Sequence, residues 1–509
     1  MKKLYTINLI AIMLLAFQLT FSQVDDQTVE LEEVVLSLPF NQTLGKSVIK
    51  VDKINFNDLN PILQQYISKS ISKLPGVSIL STGPGVSKPS IRGLSYDRVV
   101  VYSQGVRLEN QQWGDEHGIG VSTSGVNSIE VIKGPSYVLY GSDAMGGVLY
   151  VEPERYSSDF SVDYMGLYNS NYNGITNNLG LKGSSGKFSY IARANMVDNQ
   201  SFSTPDGEVE NTWFKENDVQ AGLKYETEKF SSDLRLTMNF SELGLPHMEE
   251  GHDDHDDHDE EGHDDHDEEG HDDHEDHYQE LSHTTLTWVN TYDLGNNHQL
   301  NVTLGRQLND RKEFGGHEEE EGHDDHDEEG HDDHDDHEGH EEGEAELDME
   351  LSTNTLDVSL VMPQSDNLNL TIGTNFLSQE NKNFGHEELI PDAEKNDFGL
   401  YALGQITMEN GAALIGVRYD SRSISSDMGS ADFSNFNGSV GIKRDFENST
   451  LRFNIGSGYR APNLIELFAD GVHHGSFRYE RGNLNLVAEK SFQTDISFDI
   501  NNEDSSVSF

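Results

Sequence analysis

With 509 residues the chain is too long for one ordinary compact domain. Its formal net charge of -57 repels phosphate, so nucleic acid is a poor partner. Cysteine is absent, which removes disulfides, thiolate metal sites and a lipobox.

The acid is concentrated. Residues 247–277 hold 18 Asp/Glu and 313–346 hold 19, with no Lys or Arg in either, and without these 37 the remaining chain stands at -20.

Residues 1–22 have the form of a secretory signal peptide. Lys2 and Lys3 supply the positive start, Ile7 to Leu19 is mostly apolar, and Thr20-Phe21-Ser22 offers a small-x-small cleavage site before Gln23. That run is short for a spanning helix, and no later segment has about 18 consecutive apolar residues. A chain of this kind crosses a membrane only by strands, because helices and closed barrels are the two ways to satisfy every backbone polar group in lipid.

Residues 23–45 are a short acidic linker containing Leu31-Glu32-Glu33-Val34-Val35-Leu36-Ser37. It reads as an extended segment with no partner nearby, able to add as a strand to another protein's sheet edge. Residues 46–152 read as a small α/β domain. Pro61 suits a helix N1 position, and Ile62, Leu63, Tyr66, Ile67, Ile71 and Leu74 then share one helical face before Pro75-Gly76 stops it. Strands are predicted at Val77–Leu80, Val99–Tyr102, Ile129–Ile132 and Val148–Val151.

From 153 to 509 the pattern becomes long alternating strands. Leu234, Leu236, Met238 and Phe240 alternate with Arg235, Thr237 and Asn239. Leu300, Val302 and Leu304, then Leu368, Leu370 and Ile372, then Leu451, Phe453 and Ile455, then Phe492, Ile496 and Phe498 do likewise. Alternation alone fits a soluble sandwich or a membrane barrel. The connectors favour the barrel: turns such as Gly295-Asn296-Asn297 and Glu409-Asn410-Gly411 are short, and those of the other parity are long. About fourteen strands are expected between 158 and 500. With the first running outward, the segments 246–279, 311–346, 379–396 and 461–485 all fall on one side.

Residues 46–152 resemble the plug of TonB-dependent outer-membrane receptors. The matching residues are Ile91-Arg92-Gly93, Asp97-Arg98-Val99, Gly105-Val106-Arg107, Ile129-Glu130-Val131-Ile132-Lys133-Gly134-Pro135 and Leu139-Tyr140-Gly141-Ser142-Asp143-Ala144-Met145-Gly146-Gly147-Val148. Tyr459-Arg460-Ala461-Pro462-Asn463, Glu466-Leu467-Phe468, Gly482-Asn483-Leu484 and Glu489-Lys490-Ser491 resemble a barrel loop of the same receptors.

The resemblance implies an all-β transmembrane barrel of about 22 strands around an N-terminal α/β plug. It places the protein as a monomer in outer-membrane lipid of a Gram-negative cell. It makes Leu31–Ser37 a TonB box, paired with TonB and energised through ExbB and ExbD. Fourteen strands fall short of that barrel, so a truncated sequence is expected. No catalytic constellation or phosphate loop is visible, so neither enzyme activity nor a catalytic cofactor is expected.

Gly262-His263-Asp264-Asp265-His266-Asp267-Glu268-Glu269-Gly270-His271-Asp272-Asp273-His274 recurs unchanged at 322–334. Nine His lie in 247–277 and seven in 317–340, of 22 in the chain. Such composition has almost no apolar surface to bury and cannot make a core. Imidazole and carboxylate suit Zn²⁺, and serve Ni²⁺ and Cu²⁺ as well. The candidate ligands are His252, His255, His258, His263, His266, His271, His274 and His277 in the first segment, and His323, His326, His331, His334 and His337 in the second. Many weak, exchangeable sites suit capture and hand-off of zinc or another divalent metal as transported ligand. The alternative is an inert acidic shield expanded by slippage, for which histidine has no use.

A second candidate is Trp113-Gly114-Asp115-Glu116-His117, where Asp115, Glu116 and His117 adjoin in a long loop. This run resembles the plug of the ZnuD-like zinc-receptor subgroup. A third is His473 and His474, placed where the family's haem receptors carry a histidine, and so a possible haem or metal ligand. Haem or a ferric siderophore is therefore the rival cargo, and a metal-holding surface protein without transport is the rival function.

Overall fold

The fold is described from a computed structural model, for residues 34–35, 37, 42–60, 64, 66–81, 85–109, 118–135, 137–205, 207–246, 277–315, 345–365, 367–385, 388–473, 478–502 and 505–508. Two units follow one another: a small mixed α/β domain and a large antiparallel sheet wrapped about it.

The N-terminal segment is not the lone strand expected. β1 (Val34–Val35) pairs antiparallel with β2 (Gln42–Thr43), and Ser37 between them is buried. The small domain is built on β3 (Val51–Asn55), β4 (Val77–Ser81), β5 (Ser87–Ile91), β6 (Val99–Ser103), β7 (Val106–Arg107), β8 (Val126–Ile132) and β9 (Gly147–Pro153). Five of these form one sheet in the order β3-β8-β9-β6-β7, with β6 and β9 parallel, while β4 and β5 form a hairpin. The apolar runs read from sequence are therefore strands. Gly147 lets β9 enter this sheet: its φ is +137°, and a Cβ there would lie 2.5 Å from the Ile132 carbonyl oxygen.

The helical reading of 61–74 is corrected. The helix α1 spans only Ile67–Ile71. Ile67 and Ile71 are buried against Phe56, Val77, Ile91, Val99 and Leu149, as the apolar face required. Each such burial contributes about 1.5–3 kcal/mol. Tyr66 stands before the helix in an extended conformation, φ -139° and ψ 138°. Its ring meets Phe214 of the large sheet at 6.3 Å, and Asn199 donates to its hydroxyl. A tertiary contact thus outcompetes one more turn of helix. Ile62 and Leu63 lie outside the described residues. A second short helix, α2 (Tyr137–Tyr140), precedes β9.

The large sheet has fifteen strands. They are β10 (Ser161–Asn169), β11 (Gly174–Ser185), β12 (Phe188–Asn199), β15 (Phe214–Glu226), β16 (Phe230–Gly244), β17 (Tyr278–Gly295), β18 (His298–Phe314) and β19 (Leu347–Ser365), then β20 (Leu368–Asn383), β21 (Ala393–Met408), β22 (Gly411–Ser426), β23 (Gly429–Asp445), β24 (Ser449–Arg460), β27 (Glu489–Asn502) and β28 (Ser505–Ser508). Two hairpins lie outside it, β13–β14 (Ser203–Thr204, Gly207–Glu208) and β25–β26 (Asp470–His473, Arg478–Arg481). Neighbours pair in sequence order and all pairings are antiparallel, so the connectors alternate between two ends. At one end they are short: 186–187, 227–229, 296–297, 366–367, 409–410 and 446–448. The segments 245–277, 315–346, 384–392 and 461–488 all leave from the other end, as the parity argument expects.

The wall's outer face is apolar and bare. Phe436 is 77 % exposed, Ile496 66 % and Ile415 58 %, with Leu179, Leu223, Leu234 and Val440 beside them. The inward positions of the wall strands carry Asp218, Asn239, Lys395, Arg418 and Arg422, all buried. A soluble sandwich would reverse this distribution; an apolar belt outside and charge inside belong to a barrel in lipid.

Candidate functional site

Charged residues two apart on one strand share a face. Lys395 and Asp397 on β21, with Arg418, Asp420 and Arg422 on β22, therefore all point inward. They meet Arg107 at the end of β7, Glu109 just beyond it and Asp143 after α2. Lys395 Nζ lies 2.6 Å from Glu109 Oε2, and Arg107 Nε 2.6 Å from Glu109 Oε1. Arg107 Nη2 lies 2.6 Å, and Arg422 Nη2 3.0 Å, from Asp143 Oδ2. Arg422 also donates from Nε and Nη2 to both oxygens of Asp397, each at 2.7 Å. Positive and negative groups alternate along this chain, and its charges cancel.

Burial opposes the charge on Asp143, but the Arg422 and Arg107 guanidiniums outweigh it and hold that carboxyl well below the usual range. Burial likewise opposes Glu109, and Arg107 with Lys395 keeps it low. This lattice fastens the small domain to the wall. The backbone fits it closely: a Cβ on Gly141, whose φ is +78°, would lie 2.6 Å from Arg418 Nη2.

A second junction lies towards the long-loop end. The helix α3 (Leu464–Phe468) carries a capping box, with Asn463 accepting from Glu466 N while Glu466 accepts from Asn463 N. Arg460 forks onto both oxygens of Glu466 at 2.8 Å and reaches Glu489 at 2.7 Å. Asn463 also donates to Asp97 of the small domain. Burial, with Asp143 and Glu466 nearby, pushes the Asp97 carboxyl up to about 6 against the pull of Arg460 and Lys88. Leu464, Leu467 and Phe468 pack on Leu347, Met349, Leu389 and Ile390, so α3 is seated on the rim of the wall.

The third feature is a cavity of about 520 Å³ between the small domain and the wall, lined by Ser122, Glu216, Asn239 and His283. Ser122 Oγ donates to Asp218 at 2.6 Å and also lies 3.1 Å from Glu216 Oε1. Asn195 and Asn239 donate to Asp218 at 2.9 and 2.5 Å.

The His/Asp segments reach the wall at adjacent strand ends. Leu245 N donates to the His277 carbonyl at 2.9 Å, and Asn211 Nδ2 donates to both the Leu245 and His277 carbonyls at 2.7 Å. Glu346 N donates to the Glu313 carbonyl at 3.0 Å, closing the second segment in the same way. Tyr278 and Phe314 are register partners, and their rings stack at 4.4 Å and 7°. The exit of the first segment and the entry of the second are thus side by side.

Of the residues singled out by sequence, Val34, Val35, Ser37, His277 and the His473 backbone are described; His473 ends β25, opposite Arg478. Leu31, Glu32, Glu33, Leu36, Asp115, Glu116, His117, His474 and the candidate ligands between 252 and 274 and between 323 and 337 lie outside the described residues. Among the described residues no group of three or more His, Asp or Glu is placed to hold a metal ion. The ionic lattice was missed. Its signal was present as charges spaced by two in strands that a lipid-facing alternation otherwise fills with apolar groups.

Residues 151–509 match the family described as TonB dependent receptor-like, beta-barrel, and 45–148 match the TonB-dependent receptor plug domain. A stretch of 119 residues is 29 % identical to the vitamin B12 transporter BtuB of Photobacterium profundum, covering 23 % of this chain and 20 % of that protein. Another of 84 residues is 39 % identical to the heme/hemopexin utilization protein C of Haemophilus influenzae, covering 16 % and 11 %. The matched stretches thus span a fifth or less of these relatives' length. Among solved structures, the FrpB iron transporter of Neisseria meningitidis superposes with a TM-score of 0.68 at 13 % identity, covering 90 % of this chain and 70 % of that one. The copper transporter OprC gives 0.66 at 15 % identity, covering 89 % and 69 %. Family matches to both units and a plug fastened inside an apolar-belted wall agree: the chain belongs to the TonB-dependent receptors, plugged β-barrels of the Gram-negative outer membrane.

Proposed function

We propose that the chain imports a divalent cation, zinc first, across the outer membrane, with TonB and its ExbB/ExbD partners pulling on Leu31–Ser37. The observation that carries this reading is the shared exit of the two His/Asp segments, fixed by the Tyr278–Phe314 stack. The segments that leave there hold sixteen histidines and 37 carboxylates, counted over 247–277 and 313–346. Their charge concentrates cations by Coulomb attraction, and imidazole selects the borderline metals. Asp115, Glu116 and His117 then serve as the acceptor in the plug. The protein transfers no chemical group and has no enzymatic step.

The test is zinc accumulation at limiting zinc in cells carrying the full-length receptor, the receptor without 247–277 and 316–344, or neither. Loop deletion is expected to raise the zinc concentration needed for uptake. Equal zinc uptake in all three would overturn the cargo. The second reading, haem, draws on the resemblance to the heme/hemopexin utilization protein and on the sequence pair His473 and His474, the first of which ends β25. It predicts that H473A/H474A abolishes haem-dependent growth and leaves zinc uptake intact.

A further inference from the structure

The outer face of the wall carries a border between apolar and polar residues. The last apolar outward residue is Phe240 on β16, Phe376 on β20, Phe398 on β21 and Tyr419 on β22; next to each, towards the long-loop end, stand Glu242, Ser378, Asn396 and Ser421. Traced through the register, Phe240 aligns with Asp310 of β18, and Tyr419 aligns with Val302. That offset of eight residues over six strand spacings is a slope of about 40°, which matches the strand tilt of a membrane barrel. The border therefore runs parallel to the membrane plane and marks the level of the lipid headgroups. On β18 it falls beside Arg306.

Arg306 is exposed there, with Leu304 and Leu308 two residues either way and Leu286 opposite. Among the described residues its guanidinium makes one bond, Nη1 donating to Asn354 Oδ1 at 3.1 Å, and no carboxylate pairs with it. The outward lysines nearer the loops are matched: Lys215, Lys312 and Lys382 meet Glu242, Asp348 and Glu380 at 3.7, 3.2 and 3.0 Å. A guanidinium offers five N–H donors in a fork that fits phosphate, and a charge at the lipid border finds its counter-ion in the headgroups. Asn354 also lines a groove of about 530 Å³ in the outer face. Asn354, Ser378, Asn396 and Ser423 form its upper side, and Arg306 continues their register row. Leu304, Leu356, Phe376 and Phe398 form its lower side, where the two rings lie 5.1 Å apart. The groove is thus amphipathic in the same sense as the membrane around it. From Arg306 to Ser423 the polar row crosses four strand spacings, about 19 Å, too long for one glycerophosphate headgroup and suited to a phosphorylated disaccharide.

We propose that this groove binds a phosphorylated glycolipid of the outer leaflet. Arg306 and the Asn354 amide take a phosphate, Ser378, Asn396 and Ser423 take sugar hydroxyls, and an acyl chain lies along Leu304, Leu356, Phe376 and Phe398. Asn396 and Ser423 alternate with Lys395, Asp397 and Arg422, so the lipid is held on the back of the strands that dock the plug. The inference uses the barrel in its membrane and does not depend on the cargo.

The test is lipid binding to the full-length receptor, purified in detergent and freed of co-purifying lipid, read by native mass spectrometry. The probes are bis-phosphorylated lipid A, the same lipid without its phosphates, and phosphatidylglycerol. The receptor is expected to bind bis-phosphorylated lipid A at least ten-fold more tightly than either of the others. R306Q is expected to weaken that binding at least ten-fold. N354D is expected to do the same while keeping the guanidinium, because it gives Arg306 a carboxylate of its own. K312Q removes an outward charge already paired with Asp348 and is expected to change binding less than two-fold. Either R306Q or N354D binding like the unaltered receptor, or K312Q losing as much as R306Q, overturns the proposal. So does equally tight binding of phosphatidylglycerol or of the phosphate-free lipid. The assay contains no metal, so a failed zinc-uptake experiment leaves its result standing.

Discussion

Asp143 shows what one residue does here. It accepts from two guanidiniums, one in the plug and one in the wall, and is itself buried. Removing one partner of a buried ionic group costs about 3–5 kcal/mol, chiefly because the other charges stay buried. D143A is therefore expected to loosen plug docking by that order, read as earlier proteolysis of the plug and earlier chemical unfolding. Its depressed carboxyl contributes stability above the ordinary carboxylate range of about 4, lost only as pH falls through the lower folded value. Asp97 has the opposite sign. Its carboxyl is raised to about 6, so its ionised form burdens the docked plug above that pH. The burden lifts as pH falls from about 6 towards about 4, where Asp143 is still charged. Plug docking is expected to tighten between pH 7 and pH 5 by about 1.3 kcal/mol, and D97N to remove that contribution. Unfolding midpoints of the two proteins at both pH values check this.

At the scale of elements, short structures carry much of the positioning. The five-residue helix α3 is made by its capping box, since so short a helix has almost no propagation to stabilise it. N463A is expected to cost about 1 kcal/mol at the cap and to release the rim segment from Asp97 as well. Hydrogen exchange at the Glu466 and Leu467 amides reads the change; unchanged protection would refute it. Most strands were legible because alternation and turn residues report a period of two directly. Val99–Tyr102 and Ile129–Ile132 lie within β6 and β8, and Asn296 and Asn297 turn the chain with φ of +52° and +61°. The helix over 61–74 was misjudged because Tyr66 serves Phe214 and Asn199, partners that are distant in sequence.

For the whole molecule, the expected behaviour follows from where charge and histidine lie. Ligand imidazole must be neutral, and its ordinary pKa is about 6.5. Zinc binding to the intact receptor is expected to weaken below about pH 6, measured by titration at pH 7.5 and 5.5. Flat binding across that interval would remove histidine from the ligand set. Deleting Leu31–Ser37 is expected to leave zinc binding intact and abolish uptake. A surface protein that only holds metal would show no change. The same deletion bears on the plug, because Ser37 is tied to Glu130 and Tyr140 in its interior and does not trail free.

Sequence by itself determined the periods, the parity of the connectors, the Gly-rich plug signature and the His/Asp composition of the two long segments. Each of these is local: it depends on residue type and spacing along the chain. Tertiary structure decided what those elements meet. Lys395, Asp397, Arg418 and Arg422 read as polar positions on two strands, and only the inserted plug makes them partners of Glu109 and Asp143. Tyr140 reads as one residue of a motif, and only the fold sets its hydroxyl on the Ser37 carbonyl. A buried pair is defined by both members and by the water excluded around them. Ser37 and Tyr140 are 103 positions apart, and Asp143 and Arg422 are 279 apart, so no local pattern could announce either contact.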